Sequence, residues 1–174
     1  MTVGITSEPA MTQPLFEHLH DLHRHMAWAD AIWFHVWAKA GLGEDEDLLK
    51  RMRHSIDVQD AFLTLIAGGE VTWPDHRLPP DYDFLRTLCR ANHDAFEATF
   101  ARLTPEDLAT TITVPWFPGK PCVISIADAL TQVAMHSQHH RAQQMTKLKD
   151  LGGTPQNVDY IIWVWKDKPE GRWS

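Results

Sequence analysis

The sequence predicts an all-α fold, a four-helix bundle with a small β-hairpin or irregular excursion between its third and fourth helices. Three observations predict it. Apolar residues recur at spacings of three and four through four separate stretches, the period of one buried helix face. Each stretch is bounded by helix punctuation, Asp or Ser at the start and Gly or Pro at the end. The stretches run to roughly 22 to 28 residues, hence ~33 to 42 Å, the length scale of a four-helix bundle.

The first helix, from about Gln13 to Ala40, follows a polar leader over 1–12 and carries Leu15, Leu19, Leu22, Met26, Ala29 and Trp33 on one face. Gly41 and Gly43 stop it. The acidic run Glu44 to Asp47 then lies where the positive end of a new helix dipole favours carboxylates. That second helix reaches about Gly68, with His54, Val58, Ala61, Phe62 and Leu65 forming an inward stripe headed by His54. Gly68 to Pro80 is a connector with three prolines, and Asp81 caps a third helix whose core side is Leu85, Leu88, Asn92, Phe96 and Phe100. From Thr104 the pattern changes. A helical turn at Thr104-Pro105-Glu106 precedes β-branched runs on either side of a Pro-Gly turn, the pattern of a small hairpin up to residue 124. Ser125 and Asp128 form a capping box with Asp in place of Glu. The fourth helix presents Ile126, Leu130, Val133, Ser137, His140, Gln144 and Leu148, and Gly152-Gly153-Thr154-Pro155 ends it. A last amphipathic stretch, Val158 to Trp165, belongs to a tail over 156–174 that packs on the bundle. The short link after the first helix demands an antiparallel neighbour, whereas the second connector spans ~40 Å if extended. Both up-down-down-up and up-down-up-down orders satisfy these lengths.

One domain accounts for all 174 residues, 44% of them hydrophobic. The formal charge of −7 excludes a surface built for nucleic acid or anionic membrane, which needs clustered Lys and Arg. Only two cysteines, Cys89 and Cys122, are present, so neither a disulfide framework nor a zinc ribbon is expected. The opening residues lack a basic region followed by an apolar one, and no stretch approaches ~18 uncharged apolar residues. A cytoplasmic protein without a membrane partner is expected.

The eleven histidines are the anomaly. In Met135-His-Ser-Gln-His-His-Arg141, His136 and His140 are four apart, so their rings leave one helix face a turn apart and can share a divalent metal. If the second helix runs opposite to the fourth, the axial rise of ~1.5 Å per residue brings His54 level with both. Three neutral imidazoles are the ligand set of a site that keeps a position open for water or substrate. His139 is turned ~100° away from His140 and is excluded. The plainer reading of the pair is chance spacing in a His-rich chain, and of His54 a core ring bonded to a carbonyl. A rival cluster on the first helix, His18, His20, His23 and His25 with Asp21, could clip a surface metal; its plainer reading is an exposed polar helix side. Among the eight tryptophans, Trp33 and Trp37 fit the core, while Trp73, Trp116, Trp163 and Trp165 could line a site mouth or a partner surface. There is no Gly-rich phosphate loop and no nucleophile elbow, so covalent catalysis has no evident nucleophile.

Three stretches together resemble the DinB family, also called the DinB/YfiT-like metalloenzymes. HMAWADAIWFHVW is similar to the family's start, LLKRMRHSIDVQDAFLTLIAGG to its second helix, and ALTQVAMHSQHHRAQQMTKLKDLGGTPQNVDYIIWVW to its last helix with the His-His-Arg-Gly-Gln signature. The chain departs from the pattern at Ala142, where the family commonly has Gly, and at Asp30, where it has Asn. Neither is a ligand position. The resemblance implies that His54, His136 and His140 bind one divalent ion, usually zinc or nickel, in an up-down-down-up bundle that is often a homodimer. It also implies thiol chemistry: a metal-dependent S-transferase that joins a low-molecular-weight thiol to a small electrophile. The first alternative is a hydrolase using metal-bound hydroxide, with Asp57, one turn from His54, as proton acceptor; Asp57 otherwise reads as a solvent-facing carboxylate. The second is a non-catalytic bundle in which the metal only clamps two helices.

Overall fold

Residues 12–74 and 81–173 are described by the structure, a computed structural model. The leader up to residue 11 and the part of the second connector over 75–80 lie outside the described residues. The described residues form five α-helices and one two-stranded sheet: α1 (Thr12–Lys39), α2 (Glu46–Ile66), α3 (Tyr82–Phe100), β1 (Thr111–Val114), β2 (Cys122–Ser125), α4 (Ile126–Asp150) and α5 (Tyr160–Trp165). A short 3-10 turn, Glu106–Ala109, stands where Thr104-Pro105-Glu106 led one to be expected.

The helix starts follow from the capping residues. Asp45 accepts from the Leu48 N–H, Asp81 from that of Phe84, and Ser125 from that of Asp128 in a reciprocal box. Gly41 closes α1 with a φ of 69°, a left-handed value that favours glycine. β1 and β2 pair antiparallel, with Thr111 opposite Ser125 and Val114 opposite Cys122, so the hairpin delivers the chain directly into the α4 cap.

α1 and α2 both pack on α3 and α4. The expectation that the short link would make α1 and α2 close neighbours is corrected: six residues join them, yet each packs chiefly on α3 and α4 and the two meet each other little. One core cluster joins Leu19 and Met26 of α1 to Phe62 of α2, Phe96 and Phe100 of α3, and Leu130 and Val133 of α4. A second joins Trp33 and Trp37 to Leu48, Met52, Leu85 and Leu148. Burying each such side chain contributes about 1.5–3 kcal/mol.

The tail covers α1. Trp163 is fully buried against Trp28 and Ala29, and Trp173 packs on Phe34 and His93. Gly171 allows this close approach, since a Cβ there would stand 2.8 Å from the Ala27 carbonyl oxygen. No helix among the described residues is long and apolar enough to cross a membrane.

Candidate metal centre

α2 and α4 bring His54, His136 and His140 together. Each offers a ring nitrogen, and these atoms all lie within 4.8 Å of one another. The ring centroids are 4.4 to 5.1 Å apart, so the three imidazoles are level, as the axial-rise argument requires. Their depth differs from expectation. His54 is exposed and His136 and His140 are half-buried, whereas Arg141 takes the buried place on α4 that the stripe assigned to His140. The core face of α2, with Leu48, Met52, Ile56, Gln59 and Phe62, runs on both sides of His54 without including it, so the rings meet at the edge of the α2–α4 contact rather than inside the core.

Gln59 holds the two helices in register at this height. It is fully buried, and its amide N–H donates to the Ser137 hydroxyl at 3.1 Å, one residue from His136. Gln143 orients His140. Its amide oxygen accepts from the His140 Nδ1–H at 3.0 Å and also from the Arg51 guanidinium. In a neutral ring this leaves the His140 Nε2 lone pair facing inward, 3.1 Å from the His136 Nε2.

Burial, reinforced by the neighbouring His140, His54 and His139 rings, pushes the His136 pKa down to about 4; burial and His54 lower His140 as well. Both rings are therefore neutral near pH 7, the form that ligates. The donor set fits a divalent cation. At metal–nitrogen distances of ~2.0–2.1 Å, tetrahedral ligands stand ~3.4 Å apart, which small ring rotations reach from the separations seen here.

A cavity of about 570 Å³ opens beside the rings, lined by His54 and His136 and by Phe62, Trp73, Trp116 and Phe117. His140 is not part of its lining. Trp73 and Trp116 thus stand at a site mouth as one of the two expectations had it, while Trp163 is core and Trp165 is exposed. Periodicity could not reveal the cavity, because one wall belongs to the hairpin and its turn.

Asp57 lies elsewhere. It is buried rather than solvent-facing, accepts from the Arg53 Nε–H at 2.7 Å, and lines a separate small cleft with Asp60 and Glu70. His139 is exposed and shares a hydrogen bond with Gln143, outside the triad. The rival cluster on α1 does not gather. Among the described residues His23 and His25 are buried and donate their Nε2–H groups to the carbonyls of Leu130 and Val158, and Asp21 pairs with Lys168 and Arg24. His20 meets Glu97 instead.

Sequence reasoning missed a buried network beneath the triad. Asp30 of α1 accepts from the Arg141 Nε–H at 2.8 Å, from His93 at 3.0 Å, and from the Cys89 thiol. Burial alone would raise the Asp30 carboxyl; Arg141 and His93 overcome that and hold it at about 2. The departure from the family's Asn at position 30 was the available signal. A guanidinium and an imidazole that converge on one buried residue suit a carboxylate.

A comparison with known families matches residues 12–144 to the DinB superfamily, a span that includes all three histidines. No curated protein matches the chain. With the match covering most of the chain and the histidines of its signature converging on one point, the protein belongs to the DinB superfamily.

Proposed function

We propose that the protein is a metal-dependent thiol S-transferase, in which His54, His136 and His140 hold one zinc or nickel ion and a low-molecular-weight thiol is joined to a small electrophile. The observation that carries this reading is the position of the triad: three ring nitrogens converge at the edge of an apolar cavity large enough for a small molecule. A bound divalent ion would favour the thiolate form of a thiol placed beside it. The sulfur then forms a bond to the electrophilic carbon as the leaving group departs, and the thiol proton passes to solvent. Gln143 keeps the His140 lone pair aimed inward, and the aromatic walls exclude water from the sulfur.

The α1–α4 helices run up-down-down-up in this proposal. In its support, the starts of α2 and α3 share a cluster with the end of α1, and their ends share one with the start of α4. The protein acts as a cytoplasmic homodimer on small molecules, with neither nucleic acid nor membrane as partner, in keeping with its net charge of −7. The hydrolytic alternative calls on Asp57 as proton acceptor, and the Arg53 contact and separate cleft of Asp57 favour the thiol reading over it. A purely structural clamp needs no cavity beside the metal.

Metal content by mass spectrometry tests the reading, on wild type beside His54→Ala, His136→Ala, His140→Ala and His139→Ala. About one ion per chain, lost in the first three variants and kept in the fourth, is expected. Thiol-dependent consumption of an electrophile by the loaded protein then follows. Metal retained in all four variants overturns the site, and thiol-independent ester or amide cleavage overturns the transferase.

A further inference from the structure

The cavity beside the triad has a chemistry of its own. Trp116 stands between Phe62 and Trp73, with ring centroids 5.5 Å away in both directions and interplanar angles of 89° and 66°. Rings set nearly at right angles do not use up each other's faces, so a flat guest can stack where the pairs do not. Trp73 and Phe117 are 49% and 54% exposed, two large apolar side chains held at the cavity rim rather than folded inward. A guest that covers them gains the burial that the fold itself leaves unmade.

Charge narrows the guest further. Among the described lining residues there is no Lys or Arg, and the one carboxylate is Asp128. That carboxylate accepts from both the backbone N–H and the hydroxyl of Ser125, which hold it ionised. A carboxylate, phosphate or sulfonate on the guest would meet a negative charge at the cavity rim and no Lys or Arg among the described lining residues, while in the proposed reading the charge of a bound ion is met by the thiolate. Gln132 offers a neutral amide for a carbonyl or similar polar group.

We infer that the ligand of this cavity is an uncharged, flat aromatic molecule that lodges among Trp73, Trp116 and Phe117 and presents its reacting edge to His54 and His136. Resting on the proposed transferase reading, this names the electrophile's class: a neutral aromatic compound, with the thiol approaching from the side of the triad.

The test uses two fluorescent probes with the same ring body, uncharged N-phenylnaphthylamine and anionic anilinonaphthalenesulfonate, titrated into chelator-treated full-length protein so that a bound cation does not attract the sulfonate. The expected result is uncharged-probe binding about ten-fold tighter or more, with energy transfer from tryptophan, and a loss of about ten-fold in Phe117→Ala and Trp116→Ala. Phe117 lies exposed on the hairpin turn, so its variant keeps the fold if the Trp116 variant does not. Equal or tighter binding of the sulfonate, or unchanged binding of the uncharged probe in Phe117→Ala, overturns the inference. Metal content of the untreated protein is measured in parallel. Absence of metal with selective probe binding would sink the transferase reading and leave the cavity assignment standing; metal without selective binding would do the reverse.

Discussion

Asp30 is the residue on which three helices agree. It sits on α1, draws Arg141 from α4 and His93 and Cys89 from α3, and is almost fully buried. Removing one partner of a buried ion pair leaves the other charge without compensation, which costs about 3–5 kcal/mol. Asp30→Ala is therefore expected to lower the urea-unfolding free energy by that much, and Asp30→Asn, which keeps one acceptor for Arg141, by less. Equal stability of wild type and Asp30→Ala would show that Arg141 finds another partner. Because Arg141 directly follows His140, the damage should reach the triad too. This network was illegible in the sequence for a physical reason. Periodicity tells which face of a helix is buried, but partner choice across helices is set by packing, and Asp30, His93 and Arg141 are 48 or more positions apart in every pairing. His136 and His140 were legible because their spacing alone puts them on one face.

At the scale of elements, the decisive relation is the register of α2 against α4. His54 comes from one helix and its two partners from the other, so a slide of one turn, ~5.4 Å, would dismantle the triad. The Gln59 to Ser137 bond resists that slide from within the core. Gln59→Leu strands the Ser137 hydroxyl in a buried place and should cost about 1–3 kcal/mol. It should also weaken metal binding in a chelator competition, although Gln59 touches no ligand. Unchanged affinity would mean that core packing alone sets the register. The helices themselves were readable from their ends: Asp45, Asp81 and Ser125 cap where their side-chain chemistry says they should. That α1 and α2 would not lie side by side was not readable, since a link of a few residues limits distance without choosing a neighbour.

For the whole molecule, acid is the revealing stress. His23 lies buried against Phe96 and Phe100, its Nε2–H donating to the Leu130 carbonyl. Burial pushes its pKa down from 6.5 to about 3; the Leu130 bond opposes this, and His93 and His20 add to it. Above pH 6.5 neither state of the chain protonates it. As pH falls from 6.5 toward 3, the unfolded chain takes up a proton that the folded one refuses, at a loss of up to ~1.4 kcal/mol per pH unit. Asp30 adds a second loss from 3.8 down toward 2, where the unfolded carboxyl protonates before the folded one. Urea midpoints should thus fall steadily below pH 6.5, and more gently in His23→Leu than in wild type. Parallel slopes in the two proteins would rule out His23 as the source.

The triad rides on α2 and α4, whereas much of the cavity wall comes from the hairpin turn between β1 and β2 and from Trp73 after α2. If the proposed function holds, reactivity and ligand preference rest largely on separate stretches of chain. On the proposed reading, a lineage can rewrite the turn over 115–121 and change what is accepted while Ser125 keeps α4 and its histidines in place, and a laboratory can graft that turn between relatives to the same end.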